Sequence, residues 1–353
     1  MSICPSQAEL ESLLLDDELV EHDRHQLEEH LTACQECTAR FEAIMEDTQS
    51  NWQDWQSLLE SAEPCESRPS KNHVLSNERL LEHFRQRGFE NVTEIGTGGM
   101  GIVFKAYQPA LHRHVAIKML IGGAVAGPVR QARLAVEARS QAQLRHSSII
   151  QIFSVDDFEG LPYLVLEFAD GGTLAEKLKK SPLVDREAAR ICSSVAHAVA
   201  HAHEQGIVHR DIKPSNILFA GDRPRLADFG LAKSESTDAL TGNAILGTPA
   251  YIAPEQVTGE NGSSSPRSDI YSLGVVLYES LCGIPPFQAP SAAETLRCIV
   301  EQPPISPRRL QPGIGKELET ICLKCLEKNV KDRYDTAGDL ALDLERFLDG
   351  EPI

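Results

Sequence analysis

The spacing of apolar residues divides the chain into stretches of different character. Leucines recur at helical intervals through residues 7–47, which predicts helices there. Residues 61–77 lose this periodicity and contain prolines and serines, a composition typical of a linker. Apolar and polar residues alternate through residues 91–120 as in paired strands, whereas the chain after residue 181 has mostly helical spacing. A strand-rich stretch followed by a helix-rich stretch predicts an α+β fold with two lobes.

These patterns predict three segments along the 353 residues. Residues 1–60 are predicted to form a small helical module, residues 61–88 a linker, and residues 89–350 one large unit. Within that unit, strands occupy about residues 89–167 and helices about residues 170–350. We therefore expect a small β-rich lobe and a large helical lobe, preceded by a small all-α module.

The sequence shows neither a membrane span nor a secretion signal. No run of about 18 apolar residues occurs, which is the length that a spanning helix needs. The N-terminus has no basic region followed by an apolar region. We therefore expect a cytoplasmic protein without a membrane segment.

The formal net charge of −18 is concentrated near the N-terminus. Residues 1–70 contain 17 acidic and 3 basic residues, a net of −14, and the remaining residues have a net of −4. Such an acidic segment repels nucleic acid and favours a basic protein partner, so we predict no nucleic-acid binding. A regulatory protein that binds the acidic segment is one interpretation. A solvated helical surface is the other, and both stay open.

A glycine-rich turn opens the strand-rich stretch. Residues 95–103 read Ile-Gly-Thr-Gly-Gly-Met-Gly-Ile-Val, so that Gly96, Gly98 and Gly101 have the spacing G-x-G-x-x-G. Glycines allow backbone N–H groups to approach phosphate oxygens, because no side chain stands in the way. Glycine-rich turns also join strands that bind nothing, so this motif alone is a weak signal.

A lysine and a glutamate strengthen that signal. Lys118 ends the strand-like run Val-Ala-Ile-Lys, 17 residues after Gly101, where it can neutralise phosphate charge if an acid holds it in place. The apolar stripe of residues 129–144 predicts a helix, and Glu137 lies beside that stripe. Alone, Glu137 would be interpreted as a surface charge. Together with Lys118, it predicts a catalytic ion pair.

Three more motifs follow in the second half of the chain. Residues 209–216 read His-Arg-Asp-Ile-Lys-Pro-Ser-Asn, residues 228–230 read Asp-Phe-Gly, and residues 253–255 read Ala-Pro-Glu. With the glycine turn and the lysine, they stand in the order of the protein kinase signature set. Over about residues 92–348 the chain resembles the eukaryotic-type (Hanks-type) serine/threonine kinases of bacteria. The resemblance implies the two-lobed kinase fold and the ATP-dependent phosphorylation of serine or threonine hydroxyls in proteins.

The resemblance also implies a role for each polar residue of these motifs. Asp211 would accept the proton of the substrate hydroxyl, and Lys213 would balance charge on the transferring phosphoryl group. Asn216 and Asp228 would hold Mg²⁺, with Mn²⁺ as an alternative, because hard cations prefer oxygen ligands.

Residues 163–169 resemble the kinase hinge, a segment that binds adenine. By this match the Glu167 carbonyl and the Ala169 N–H contact the adenine edge, and Val103 and Ala116 cover its faces. The nucleotide-binding residues that the resemblance implies are Ile95, Gly96, Gly98, Gly99, Gly101, Val103, Ala116, Lys118, Glu167, Ala169, Asn216 and Asp228.

Two features resemble serine/threonine kinases and differ from tyrosine kinases: Lys213, and Gly-Thr-Pro at residues 247–249. Arg210, beside the predicted catalytic aspartate, implies control by phosphorylation, because a phosphothreonine can pair with a basic pocket. Thr241 is the preferred autophosphorylation site, and Thr237 is a second candidate. The alternative is that both threonines are polar loop residues.

The resemblance also implies two structural residues, Asp269 on an apolar helix and Arg333. We expect Arg333 to pair with Glu255, and both Asp269 and Arg333 to hold the large lobe together without a catalytic role.

The N-terminal segment contains a pattern typical of metal ligands. His30, Cys34 and Cys37 form H-x3-C-x2-C, a spacing that places three donors on one face of a helix. Imidazole nitrogen and thiolate sulfur suit Zn²⁺, and a closed structural site needs a fourth ligand. The candidates for that ligand are Cys4, which is preferred, and His22 and His25.

This segment resembles the zinc-binding anti-sigma-factor domains over about 45 residues. The alternatives are that Cys34 and Cys37 form a redox pair or are chance neighbours. Cys322 and Cys325 show the same C-x-x-C spacing, but no third ligand is near them in the sequence, so they are predicted to be buried packing residues.

Two functions therefore stand side by side. The first is an active serine/threonine kinase with a zinc module. The second is a kinase-fold scaffold whose N-terminal module binds a regulatory protein. Lys118, Asp211 and Asp228 are all present, which favours the first. Bacterial relatives often continue into a membrane anchor, so a native chain that extends beyond residue 353 would be membrane-anchored.

Overall fold

The computed structural model describes residues 4, 30, 34, 37, 77–98, 101–120, 138, 140–229, 249–259 and 265–353. The predictions for Gly99, Glu137, Thr237 and Thr241 lie outside the described residues, as do those for the helices of residues 7–47 apart from single positions. The described residues belong to two compact units. The first lies within residues 1–113, 117–136 and 155–163, and the second within residues 114–116, 137–154 and 164–353.

The strand-like alternation predicted for residues 91–120 is confirmed. Five strands form one sheet in the order β1-β2-β3-β5-β4. Their bounds are β1 Glu90–Gly98, β2 Gly101–Gln108, β3 Arg113–Met119, β4 Ile152–Phe158 and β5 Leu161–Glu167. The β1–β2 pair is antiparallel, with Gly96 opposite Val103 and Gly98 opposite Gly101. The glycine-rich turn therefore joins two paired strands.

Helix α1 (Asn77–Gln86) lies inside the segment predicted as a linker, so that prediction does not hold for residues 77–86. Leu80 and Phe84 lie one turn apart and are fully buried. The Phe84 ring makes edge contacts with Phe104 at 5.7 Å and Tyr163 at 5.3 Å. A stripe of two apolar residues is too short to be distinguished from a linker in the sequence, and tertiary packing stabilises the helix.

The second unit is mostly helical, as predicted for the chain after residue 181. Its elements are α2 Leu174–Leu178, α3 Asp185–Glu204, β6 Ile217–Ala220, β7 Arg223–Leu226, α4 Pro254–Thr258, α5 Pro266–Cys282, α6 Ala292–Glu301, α7 Pro307–Leu310, α8 Lys316–Cys325 and α9 Ala337–Asp349. Helices α3 and α5 pack against each other, α9 packs on α3, and α8 packs on α5. No helix among the described residues is both long and apolar enough to cross a bilayer.

Helix α5 forms the centre of this unit. Most of its side chains are buried, as expected for a helix surrounded by others. Ser265 caps its N-terminus by accepting a hydrogen bond from the Ser268 N–H, and Gly283 ends it with a φ of 77°. A left-handed φ of this kind is easily adopted by glycine alone, so the turn after α5 depends on Gly283.

The C-x-x-C pair on α8 is confirmed as packing. Cys322 and Cys325 are fully buried in the hydrophobic core of the second unit. Burial raises the pKa of both thiols far above neutral pH. Both sulfurs therefore stay protonated and behave as small apolar groups.

A buried ion pair joins α4 to the segment before α9, as the sequence predicted for Arg333 and Glu255. The Arg333 guanidinium donates from Nη1 and Nη2 to the two Glu255 carboxylate oxygens at 2.8 and 2.7 Å. It also donates to the backbone carbonyls of Arg267, Glu327 and Lys328. Burial raises the pKa of Glu255, but the hydrogen bonds and charge of Arg333 outweigh it and lower the pKa overall.

Replacing Arg333 by alanine is expected to lower the free energy of unfolding by about 3–5 kcal/mol, because the Glu255 charge would remain buried without its partner. Urea denaturation of the purified protein measures this. The matched control is Arg346→Ala, which breaks the exposed Arg346–Asp343 pair and is expected to cost less than about 1 kcal/mol. A loss for Arg333→Ala as small as that of the control would contradict the structural role.

Candidate active site

The loop between α3 and β6 carries the His-Arg-Asp motif and is built around a buried histidine. His209 has no exposed surface. Its Nδ1 accepts a hydrogen bond from the Asp211 N–H at 3.2 Å, so its Nε2 carries the hydrogen and donates to the Ala227 carbonyl at 3.0 Å. Burial lowers the pKa of His209, which keeps the ring neutral. The imidazole thus links the 209–216 loop to the segment after β7.

Asp269 on α5 holds the same loop from the other side. Its Oδ2 accepts from the His209 N–H at 2.8 Å, and its Oδ1 accepts from the Arg210 N–H at 2.9 Å. Oδ2 also lies 2.8 Å from the Nε2 of His203 on α3. Arg210 has a φ of 66°, a conformation that a side chain disfavours. The sequence prediction that Asp269 is structural is therefore confirmed by its contacts.

The three polar residues predicted at the centre of the motif lie together. Lys213 Nζ donates to Asp211 Oδ2 at 2.7 Å, and Asn216 Nδ2 donates to the same oxygen at 3.1 Å. Asn216 Nδ2 also donates to the Asp211 carbonyl at 2.8 Å. Two donors on one oxygen fix the orientation of the Asp211 carboxylate. Because the amide nitrogen of Asn216 faces Asp211, its amide oxygen points away.

Asp228 and Phe229 follow β7 and pack beside this loop. The Ala227 N–H donates to the Asn216 carbonyl at 2.9 Å, and the Phe229 ring lies 4.5 Å from the His209 ring. Asp228 has a φ of 61°, in the left-handed region. Such a conformation costs roughly 1–3 kcal/mol and is found at functional sites where the surrounding structure imposes it.

Gln141 is a contact that the sequence analysis missed. Its Nε2 donates to the Phe229 carbonyl at 3.0 Å. The sequence placed Gln141 in the apolar stripe of residues 129–144. A polar residue inside an apolar stripe is the signal that could have identified it, because a buried amide needs a partner.

The predicted phosphate-binding residues of the first unit lie on β1, β2 and β3. Gly96 and Gly98 are in β1, Gly101 begins β2, and Lys118 is buried near the end of β3. Ile95 is more than half exposed. The partner predicted for Lys118, Glu137, lies outside the described residues, so their ion pair stays a prediction.

Of the predicted hinge, residues 163–167 lie in β5 and residues 168–169 follow the strand. The Glu167 N–H donates to the Gln151 carbonyl at 2.9 Å, and the Glu167 carboxylate pairs with Arg225 at 3.1 Å. The Ala169 N–H has no acceptor among the residues that the structure describes. The predicted adenine-covering residues, Val103 and Ala116, are half-buried and buried.

A second cluster of polar side chains occurs in the N-terminal segment. The sulfurs of Cys4, Cys34 and Cys37 and a ring nitrogen of His30 all lie within 4.8 Å of one another. His30 Nε2 is 3.3 Å from the Cys37 sulfur. Burial raises the pKa of the Cys37 thiol to about 12, and its hydrogen bonds with Cys34 and Cys4 act in the same direction. These are the four ligands that the sequence preferred.

The sheet, the helical unit and the arrangement of the 209–216 and 226–229 loops are those of a protein kinase. Residues 89–341 match the family model for the protein kinase domain. The chain therefore belongs to the protein kinase domain family. The predicted kinase fold, with a β-sheet N-lobe and a helical C-lobe, is confirmed.

The chain is similar to serine/threonine-protein kinases of bacteria. It is 38% identical over 266 residues to PknB of Mycobacterium leprae, covering 73% of this chain and 42% of that one. It is 36% identical over 262 residues to PrkC of Bacillus subtilis, covering 73% and 40%. The chain thus spans less than half the length of these relatives.

Solved structures agree on the fold. The PknI kinase domain of Mycobacterium tuberculosis aligns with a TM-score of 0.58 at 23% identity, covering 73% of this chain and 96% of that one. Rad53 in complex with AMP-PNP aligns with a TM-score of 0.62 at 23% identity, covering 75% and 67%.

The buried neutral state of His209 predicts a loss of stability at mildly acidic pH. Its pKa is lowered in the folded protein, so below about pH 6.5 the unfolded chain binds a proton that the native ring does not. The free energy of unfolding is expected to fall between about pH 6.5 and 5.5 by up to roughly 1 kcal/mol from this residue. Urea denaturation at several pH values measures the slope.

The variant His209→Gln should flatten that slope, because glutamine does not titrate. The matched control is His112→Gln, which replaces an exposed histidine and should leave the slope unchanged. Equal slopes for all three proteins would show that the pKa of His209 is not lowered.

Proposed function

We propose that this protein is a serine/threonine kinase that transfers the γ-phosphoryl group of ATP to hydroxyl groups of proteins. It would also phosphorylate its own activation segment, the stretch between Asp228 and Glu255 that contains Thr237 and Thr241. The observation that carries the proposal is the Asp211, Lys213 and Asn216 cluster, held by backbone hydrogen bonds to Asp269. Membership of the kinase family and similarity to bacterial serine/threonine kinases support it. We place it in signalling of the bacterial type.

Asp211 would orient the acceptor hydroxyl and accept its proton. The donors Lys213 and Asn216 fix the carboxylate before substrate arrives, so little reorganisation is needed. Lys213 is about a quarter exposed, which allows its ammonium group to contact a phosphoryl group as well. Phosphoryl transfer requires positioning and charge neutralisation more than covalent chemistry, and this cluster provides both.

The residues also fit a bound Mg²⁺. Asn216 directs its amide nitrogen at Asp211, which leaves the amide oxygen as a ligand. Asp228 supplies a carboxylate from a segment tied to Asn216 through the Ala227 N–H. Oxygen donors of this kind suit Mg²⁺, with Mn²⁺ as an alternative, and the metal would neutralise phosphate charge.

Nucleotide binding would use backbone N–H and carbonyl groups together with one lysine. The Ala169 N–H, which lacks an acceptor among the described residues, would donate to the adenine edge, and the Glu167 carbonyl would accept from it. Gly96, Gly98 and Gly101 would present backbone N–H groups to the phosphates. Lys118 would neutralise their charge.

Regulation would act through the activation segment. Arg210 is placed beside Asp211, and a phosphate on Thr241 or Thr237 would bring about −1.5 to −2 charge for it to bind. Autophosphorylation at Thr241 is the preferred site of this control.

Replacing Asp211 by asparagine is expected to reduce autophosphorylation with Mg-ATP by roughly 10²–10⁴-fold, because asparagine cannot accept the proton. Incorporation of labelled phosphate measures the rate, and mass spectrometry locates the sites. The control Asp349→Asn replaces an exposed aspartate at the end of α9 and should retain full activity. Equal incorporation in Asp211→Asn and wild type would remove this residue from the mechanism and favour a scaffold function.

We infer that the N-terminal cluster is a structural zinc site with Cys4, His30, Cys34 and Cys37 as ligands. Three sulfurs and one imidazole nitrogen are a ligand set of structural zinc sites. Tetrahedral coordination places a nitrogen and a sulfur about 3.6 Å apart, close to the 3.3 Å between His30 and Cys37. Zinc binding would contribute folding free energy to a segment of this short length.

The acidic charge of residues 1–70 supports a basic regulatory protein as the partner of this module. The zinc site would then hold the binding surface in shape. The kinase chemistry does not depend on that partner.

The purified full chain is expected to contain about one zinc ion per molecule, measured by elemental analysis. Cys34→Ser and Cys37→Ser should each lose it, because a serine oxygen replaces a thiolate ligand. Cys298→Ser is the matched control, since Cys298 lies on α6 and belongs to no such cluster among the residues that the structure describes. Zinc retained in a Cys34→Ser, Cys37→Ser double variant would contradict the assignment.

A further inference from the structure

A groove that the proposed chemistry does not use lies on the second unit. It has a volume of about 450 Å³ and is bounded by α2, the beginning of α3 and the β6–β7 hairpin. Its lining combines apolar residues with basic ones and includes Lys177, Val184, Arg186, Arg190, Ile191 and Phe219. None of Asp211, Lys213 and Asn216 lines it, so the groove is separate from the catalytic cluster.

The apolar part of the groove has a floor and an exposed edge. Phe219 and Ile191 are almost fully buried and form the floor. Val184, just before α3, is 70% exposed, more than any other large apolar side chain among the described residues. A single exposed valine is ordinary on a protein surface. Beside an apolar floor, it provides a place for an apolar side chain of a ligand.

Two of the three basic residues in the groove, Arg186 and Arg190, have no acidic partner among the residues that the structure describes. Lys177 pairs with Glu187 at 3.1 Å and lies 4.4 Å above the Phe219 ring, so its charge is compensated. Arg186 donates to the Leu348 carbonyl at 2.7 Å, which fixes the guanidinium but does not cancel its charge. Arg190, one turn further along α3, is exposed and has no acidic partner among the described residues.

These positive charges are unusual for the molecule that carries them. The chain has a net charge of −18, whereas Arg186 and Arg190 place two charges on one face of α3 that meet no acidic side chain in the described part of the chain. Asp222, exposed at the turn of the β6–β7 hairpin, is the one lining acid without a basic partner among the described residues. An anionic ligand is therefore expected to place its charges on the α3 side of the groove, away from Asp222.

We propose that this groove is a docking site for an acidic peptide segment of a partner protein. One apolar side chain of the peptide lies against Val184 over the Phe219 floor, and its carboxylates bind Arg186 and Arg190. The pairing of an apolar floor with two arginines is what selects this occupant, because arginine binds carboxylates in a fixed geometry. Docking away from the catalytic loop raises the local concentration of the partner's acceptor residue.

Fluorescence anisotropy on the full chain tests the proposal with a labelled peptide of sequence Glu-Glu-Leu-Ala-Leu-Glu-Glu. The variant Arg186→Glu with Arg190→Glu is expected to bind this peptide roughly tenfold more weakly, because two attractions become repulsions. Replacing the peptide's glutamates by glutamine, or its leucines by serine, should weaken binding to the wild-type chain. The difference between proteins should shrink at about 0.5 M salt, where charges are screened.

Two control proteins sharpen this test. Arg297→Glu with Arg309→Glu changes the net charge equally on α6 and α7 and should bind as wild type does. Arg190→Glu alone should also bind the peptide more weakly. The Arg190 side chain makes no hydrogen bond or ion pair with another described residue, so weaker binding by this variant could not be explained by a folding defect. Asp211→Asn should bind normally, so a failure of the kinase proposal would be seen separately.

Three outcomes would overturn the docking site. They are no binding of the glutamate peptide to wild type, equal binding by the Arg186→Glu, Arg190→Glu variant and its matched control, and equal binding of the glutamine and glutamate peptides.

Discussion

The hydrogen bonds that the Asp269 carboxylate accepts from the His209 and Arg210 N–H groups are the constraint on which the site depends. One buried side chain of the central helix α5 holds two consecutive backbone amides of a loop. Arg210 keeps its left-handed φ because these two hydrogen bonds hold the backbone at this position. Without this carboxylate, nothing else described on α5 would fix where Asp211 lies.

The loop that Asp269 holds also contacts the segment after β7 directly. His209 donates to the Ala227 carbonyl and packs against the Phe229 ring, and the Asn216 carbonyl accepts from the Ala227 N–H. The 209–216 loop and the segment of residues 226–229 are therefore positioned by shared hydrogen bonds and not by separate supports. Gln141 adds a tie from the segment before β4 by donating to the Phe229 carbonyl. A change in that segment would thus reach the Phe229 backbone through one hydrogen bond.

The sequence predicted those parts of the molecule in which a residue type is demanded by chemistry. Asp211, Lys213 and Asn216 are recognisable because their spacing matches the protein kinase signature set, in which phosphoryl transfer uses a carboxylate, a cation and an oxygen ligand for a metal. Asp269 and Arg333 were predicted as structural because they match structural positions of the kinase family, and the structure gives each of them a charged or backbone partner. The cluster of His30, Cys34 and Cys37 was predicted because helical spacing places the three side chains on one face.

Helix α1 and the groove on α3 could not be predicted in this way, because each depends on surfaces that come together from distant parts of the chain. Leu80 and Phe84 are apolar residues in a mostly polar stretch. They form the buried face of a helix because they pack against the strands that they cover. The groove takes its floor from β6 and α3 and its charges from α3, so no contiguous motif marks it. Residues that serve a known chemistry can be recognised from their spacing in the sequence, whereas a docking surface forms only when separate elements pack together. Arg186 and Arg190 could change without disturbing the hydrogen bonds around Asp211, so partner choice can vary while the chemistry stays the same.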